Sequence, residues 1–341
     1  MRLRSRAAAF LGLAAAAAAA FILELCTGAV RLPLRDVALC LAGNGDAAGA
    51  MARQVVLDVR LPRAVMATCV GALLAVAGAL LQGLLRNPLA EPYLLGISSG
   101  AGLAVTLAMV AGLPLVIYGV YSVPLVAFAG ALAALVAVYF LAQFRGRLMV
   151  TTLILAGVVV SAFLSAIITL LASLSSSRFL EVFSWLMGHL QPAVRGTEKW
   201  VVGYTIAGLA VAWAQSRDLN ALMLGEEEAE SLGVRVESLK RLLFLLSSLL
   251  TGVAVSVSGL IGFVGLVAPH MARLLVGADH RILIPASALA GAALLLLADT
   301  VARLAIAPAE LPAGVVTALV GGPFFLALLL RHARSVSRRP G

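Results

Sequence analysis

The chain has 341 residues, 62% hydrophobic and only 12% charged, about half the charged share of an average soluble domain. Apolar segments recur from end to end, which excludes a soluble multidomain protein and indicates a polytopic membrane protein. The formal net charge of +9 rests on 25 basic residues, all arginine except Lys199 and Lys240. They gather between the apolar segments and at both ends, a placement the positive-inside rule explains without nucleic acid.

Residues 7–27 follow Arg2, Arg4 and Arg6. At about 20 residues this run is long for a signal-peptide core and right for a first transmembrane helix. Residues 31–58 are too polar to span and are expected to form an external loop. Further spans are predicted at 62–84, 92–110, 122–143, 149–172, 199–215, 242–259, 267–277, 284–303 and 314–331, ten in all. The eighth is shorter than a bilayer needs, so it extends into its flanks or stops at a break. An even number of spans places both termini on one side. Arg86, Arg145, Arg147, Arg217, Arg241 and Arg281 then fall inside, and Arg31, Arg35, Arg53, Arg60, Arg63, Arg178 and Arg195 outside. The spans are rich in Ala, Gly and Ser, which lets helix backbones approach closely in lipid. Cys26, Cys40 and Cys69 are too few and too scattered for a disulfide framework or a metal site.

Residues 60–96 align with 241–277 at a constant offset of 181, pairing Gly71 with Gly252, Gly78 with Gly259, Pro88 with Pro269 and Gly96 with Gly277. The second span runs inward and the seventh outward, so the repeat is expected to be inverted.

No Walker A pattern, HExxH or CxxC occurs. Active transport would draw its energy from a partner subunit or from an ion gradient. An ion-coupled carrier usually needs an ionisable group within the membrane. Asp299 is such a group, but Arg303 lies one helical turn on, and the pair can neutralise itself. The longest internal hydrophilic stretch is RDLNALMLGEEEAESLGVRVESLKR, residues 217–241. It reads as a short helix, Gly225, an acidic run and a second short element ending at Gly233. Acid where positive-inside expects base suits a surface built to bind another protein, or a solvated helix face.

Four long motifs appear in order: VRLPRAVMATCVGALLAVAGALLQGLLRNPLAEPYLLGISSGAG at 59–102, LNALMLGEEEAESLG at 219–233, SGLIGFVGLVAPHMARLLVGADHRILIP at 258–285, and LLLLADTVARLAIAPAELPAGVVTALVGGPFF at 294–325. Through them the chain resembles the FecCD-like permeases, the family of vitamin B12, ferric-siderophore and haem importers. The resemblance implies an all-α integral membrane protein of about ten helices, a single permease domain over 1–341 with the type II ABC importer architecture. It implies a homodimer, two ATP-binding cassette subunits and an extracytoplasmic substrate-binding protein, in a bacterial inner membrane with both termini cytoplasmic. By the same resemblance Leu222, Gly225, Glu226, Glu227, Glu228, Ala229, Leu232 and Gly233 couple to the ATPase. Arg60, Arg63 and Arg303 dock the binding protein, and Asn87, Leu89, Val150 and Thr151 form a cytoplasmic gate. The chain itself is not expected to be an enzyme or to bind a cofactor; ATP and Mg²⁺ belong to the partner ATPase. Cargo travels already complexed, so His270, His280 and His332 are not expected to bind metal. Ferric siderophore leads as substrate, then haem, then cobalamin. The alternatives are an ion-coupled secondary transporter of a small solute and a structural membrane scaffold.

Overall fold

The computed structural model describes residues 3–28, 30–44, 48–113, 116–117, 120–144, 147–175, 178–190, 197–307 and 309–337. In chain order the helices are α1 (Leu3–Cys26), α2 (Leu34–Leu41), α3 (Ala50–Gln54), α4 (Leu61–Leu84), α5 (Ile97–Val110), α6 (Val123–Ala142), α7 (Val150–Leu174) and α8 (Phe179–Leu186). Then follow α9 (Thr197–Ala214), α10 (Ser216–Leu222), α11 (Glu226–Ser231), α12 (Val236–Ser258), α13 (Val264–Val276), α14 (His280–Leu304) and α15 (Ala313–Ser337). Two-residue ribbons, Val116–Ile117 with Val120–Tyr121 and Gln143–Phe144 with Arg147–Leu148, are the β-structure among the described residues.

Each of the ten predicted spans is a helix: α1, α4, α5, α6, α7, α9, α12, α13, α14 and α15. Among the described residues, seven helical stretches are long and apolar enough to cross a membrane. The α13 helix has 13 residues, about 20 Å at 1.5 Å per residue, too short for a hydrocarbon core of about 30 Å. It starts at a break, residues 259–263, where Gly259 (φ 67°) ends α12 and Phe263 (φ 67°) opens α13. Irregular backbone at this depth is tolerated only where protein satisfies it. Here the Phe263 N–H donates to Glu91 Oε1 at 2.5 Å.

Residues 31–58 are not the expected loop. The α2 helix buries Val37 and Cys40, and α3 runs through a π-helical stretch, Val55–Arg60, straight into α4. Arg35 and Arg53 lie exposed while Ala52 and Val56 are buried. The polarity that reads as a loop is the outer face of amphipathic helices.

The α4 helix is the axis of the bundle. Every residue from Cys69 to Leu84 is buried, against α9, α12, α13 and α14. Glycine sets the closest crossings. A Cβ on Gly71 would meet the backbone of Gly291 in α14, and one on Gly265 in α13 would lie 2.9 Å from the Leu74 carbonyl of α4.

Contacts along α4 fix the directions of its neighbours. Arg63 meets Asp299 and Gly71 meets Gly291, so α14 is antiparallel to α4. Gly265 packs near Leu74 and Arg273 bonds Gln82 at 3.1 Å, so α13 is parallel to it. Lys240, near the start of α12, meets Glu226, which also faces Arg86 just past the end of α4. The α12 helix is therefore antiparallel to α4. Each half of the chain thus contributes a long–short–long triplet, α4–α5–α6 and α12–α13–α14, whose leading helices run oppositely, as an inverted repeat requires. The constant offset slips after the first helix. It would set α13 against residues 83–95, because 85–96 separate α4 from α5 while only 259–263 separate α12 from α13.

Candidate functional site at the two ends of the bundle

One end carries the 217–241 segment. There α10 ends at Leu222, a turn passes Gly225, and α11 is followed by Gly233. Gly225 sits at φ 146°, ψ 160°, a conformation essentially confined to glycine, and its carbonyl accepts the first α11 bond from Ala229 N–H at 3.1 Å. Gly233 is also left-handed, at φ 84°. Leu222 and Ala229 are buried and seat the element on the bundle. Glu227, Glu228 and Leu232 are exposed, as is Leu224. Glu226 is different. Its carboxylate accepts from Lys240 Nζ at 2.6 Å, so it ties α11 to α12 instead of standing free with its acidic neighbours.

Two further ties hold this end. Asp279 caps α14, and its Oδ1 accepts from Arg281 N–H at 3.1 Å and from Asn220 Nδ2 at 2.7 Å. Asn220 Oδ1 in turn accepts from His280 N–H at 2.9 Å and lies 2.7 Å from His280 Nδ1. Partial burial alone would raise the Asp279 carboxyl. The Arg281 N–H, the Asn220 amide and the Arg281 and Arg6 charges outweigh it and hold the carboxyl below its ordinary value. Glu237, in the first turn of α12, accepts from Leu148 N–H at 2.5 Å and so fixes the hairpin that leads into α7.

The four expected gate residues lie at the entries to α5 and α7, Asn87 and Leu89 on the connection into α5 and Val150 and Thr151 in the first turn of α7. Asn87 is exposed, and its Oδ1 accepts from Leu89 N–H at 2.9 Å, closing a turn. Leu89 is half-buried, Val150 packs partly on the core, and Thr151 is exposed in the first turn of α7.

At the opposite end the three expected docking arginines come together, drawn from α4, its π-helical lead-in and α14. Their side chains are largely buried and have internal partners. Arg63 forms a fork with Asp299, Nε–Oδ2 at 2.9 Å and Nη2–Oδ1 at 3.0 Å, and reaches Glu310 at 2.8 Å. Arg303 pairs with Asp299 at 3.2 Å and with Glu24 at 2.7 Å. Arg60 donates to the carbonyls of Leu25, at 2.8 Å, and Val30. The expected Asp299–Arg303 pair is thus present, within a larger network of two arginines and three carboxylates, with Arg60 beside it on backbone carbonyls. None of these three arginines stands as a free external cation. The acid nearest to water is Glu310, whose side chain is 46% exposed against 0% for Asp299.

Sequence reasoning missed Glu24, Glu310, Glu91 and Asn220. Glu24 left a usable signal, a lone acid in an alanine-rich span, since such a residue needs a partner. Asn220 and Glu91 left none, being ordinary polar residues in polar stretches.

An axial helix wrapped by others, with two short helices across one end and broken helices in its interior, is the build of a multi-pass membrane permease. The chain belongs to the FecCD transport family, whose model matches residues 16–331. It is 47% identical over 278 residues to the hemin transport system permease of Yersinia pestis, covering 81% of this chain and 83% of that one. It is 45% identical over 278 residues to the cobalamin import system permease of Halobacterium salinarum, covering 82% and 74%. A solved structure of a proposed metal-chelate type ABC transporter, in an inward-facing conformation, shares the fold with a TM-score of 0.81 and 33% identity. That match covers 96% of this chain and 99% of the other.

Proposed function

We propose that this chain is the translocating subunit of an ATP-driven ABC importer of a metal chelate, with ferric siderophore first, then haem, then cobalamin. It acts as a homodimer with two ATPase subunits and an external binding protein, in an inner membrane with both termini cytoplasmic. The observation that carries the reading is the segment end: a compact pair of short helices, divided at Gly225, closed by Gly233 and pinned by Lys240, Asp279 and His280. It presents Leu224, Leu232, Glu227 and Glu228 outward. Apolar knobs among acids on a fixed scaffold suit a basic-rimmed cleft on the ATPase. Motion imposed there reaches the bundle through α12 and α14, while Asn87, Leu89, Val150 and Thr151 lie at the entries to α5 and α7 that such motion would open and close. Asp299 and Glu24 are each neutralised by arginine, which suits a structural role better than ion coupling. At the other end, carboxylates of a binding protein would dock on the Arg60, Arg63 and Arg303 cluster, engaging Arg63 directly by displacing Glu310, the exposed member of the network.

Reconstituted uptake with counted ATPases tests the reading. Gly225→Val forces a β-branched residue into a glycine conformation, at about 1–3 kcal/mol. It should leave insertion intact and lower ATP-driven uptake at least about tenfold. Glu227→Lys with Glu228→Lys should weaken ATPase retention in a salt-dependent way. Full uptake by both variants at normal subunit stoichiometry would remove the segment from the mechanism. Affinity of the cognate binding protein for ferric siderophores, haem and cobalamin ranks the cargo.

A further inference from the structure

A cavity of about 800 Å³ opens on the bundle surface between α1, α9 and α14. Its walls are apolar, formed by Phe10 and Leu11 of α1, Leu209 and Ala210 of α9, and Ile282 and Pro285 of α14. Two cations line it at the segment end, Arg6 and Arg281. Trp213 lines the same end, its indole N–H donating to the Arg281 carbonyl at 2.9 Å. Tryptophan so placed marks the headgroup level of a bilayer.

The arginines share one nearby acid, Asp279, whose carboxyl their charges hold down from a distance. Among the described residues neither has a carboxylate at salt-bridge distance, and Arg6 Nε is buried without a hydrogen-bond partner. The nearby Asp279 carboxylate is already held by Asn220 and the Arg281 N–H. A trough that is apolar along its length and doubly cationic at one end has the polarity of a single molecule, an acyl chain ending in an anion. A basic pocket between membrane helices at the headgroup level fits that chemistry.

We propose that this groove is a binding site for an anionic glycerophospholipid of the leaflet at the segment end. One acyl chain lies along Leu11, Leu209 and Ala210, and the phosphate bridges Arg6 and Arg281. A zwitterionic lipid brings its own cation and loses this advantage. A soluble anion makes no use of the apolar trough. The inference is independent of the transported cargo and of the ATPase.

The test uses the full chain in nanodiscs with Trp185→Phe and Trp200→Phe, leaving Trp213 as the sole tryptophan. Quenching of Trp213 by brominated phosphatidylglycerol is compared with quenching by brominated phosphatidylcholine. Each arginine near the headgroups contributes about fivefold, so half-maximal quenching should need about 30-fold less phosphatidylglycerol. Arg6→Ala with Arg281→Ala should abolish the preference. Ala210→Phe, which fills the trough and keeps both charges, should weaken quenching by phosphatidylglycerol. Equal quenching by the two lipids in the parent protein overturns the proposal. So does an undiminished preference in the double arginine variant. Displacement by inorganic phosphate combined with no effect of Ala210→Phe would make this a soluble-anion site and overturn the lipid.

Discussion

Asp299 is fully buried and shared by two arginines, whereas Glu310 meets only Arg63 and lies half in water. Burial, not distance, separates the two contacts, which are both near 2.9 Å. Removing one partner of a buried pair leaves an uncompensated charge and typically costs about 3–5 kcal/mol. An exposed pair is worth about 1 kcal/mol or less. We therefore expect Asp299→Ala to destabilise the protein by about 3 kcal/mol or more, and Glu310→Gln by less than about 1 kcal/mol, in reversible unfolding from mixed micelles. Equal costs would show that the network is uniformly solvated. Asp279 supplies a pH test. Its folded pKa lies below the ordinary 3.8, so its stabilisation is present above that value and is lost as pH falls through the lowered one. Asp279→Ala should cost about 0.5–2 kcal/mol at neutral pH, as for other helix caps, and the gap to the parent should close in acid. A pH-independent gap would locate the effect elsewhere. The Asp299–Arg303 pair is legible one helical turn apart, but the Arg63 pairings are not, because their members are remote. Arg63 and Asp299 are 236 residues apart, and nothing local to either names the other.

At the scale of elements the sequence was far more explicit. A hydrocarbon core demands about 20 apolar residues or a protected break, so the ten helices could be counted and even the short eighth one recognised. The two short helices around Gly225 were also legible, since glycine, acid run and glycine punctuate them. Polarity misleads at 31–58, where average composition hides the buried faces of α2 and α3. The inward-turned Glu226 was equally hidden, because three consecutive glutamates look alike until Lys240 selects one. Helix crossings give the sharpest element-level expectation. Gly265 lets α13 lie against α4, and its Cβ would also be 2.7 Å from Pro92. Gly265→Val should cost about 1–3 kcal/mol by overpacking and lower the yield of folded protein. Gly12→Val on α1, where a Cβ meets nothing within 4 Å, serves as the control and should behave as the parent. Equal yields would mean that the crossing relaxes freely.

For the whole molecule, the contacts along α4 order the two ends without reference to a membrane. Arg6, Asn220 and Glu226 share one end with the start of α12, while Arg63, Asp299 and Arg303 occupy the other. Cysteine labelling in a cysteine-free background should place Ser231 and Ser337 on the cytoplasmic side and Asn44 outside. External labelling of Ser231 would invert the molecule and assign the acidic segment to the wrong compartment for an ATPase.

The α14 helix joins these ends without interruption. Its 25 residues span about 37 Å, with Asp279 fastening one terminus to α10 and Asp299 with Arg303 fastening the other to α4 and α1. Any coupling that this single rod, clamped at both ends, carries between the two surfaces is reciprocal. Whatever factor by which an event at the arginine cluster changes affinity at the acidic segment, an event at the segment must change affinity at the cluster by the same factor. Measuring the linkage in one direction therefore fixes it in the other.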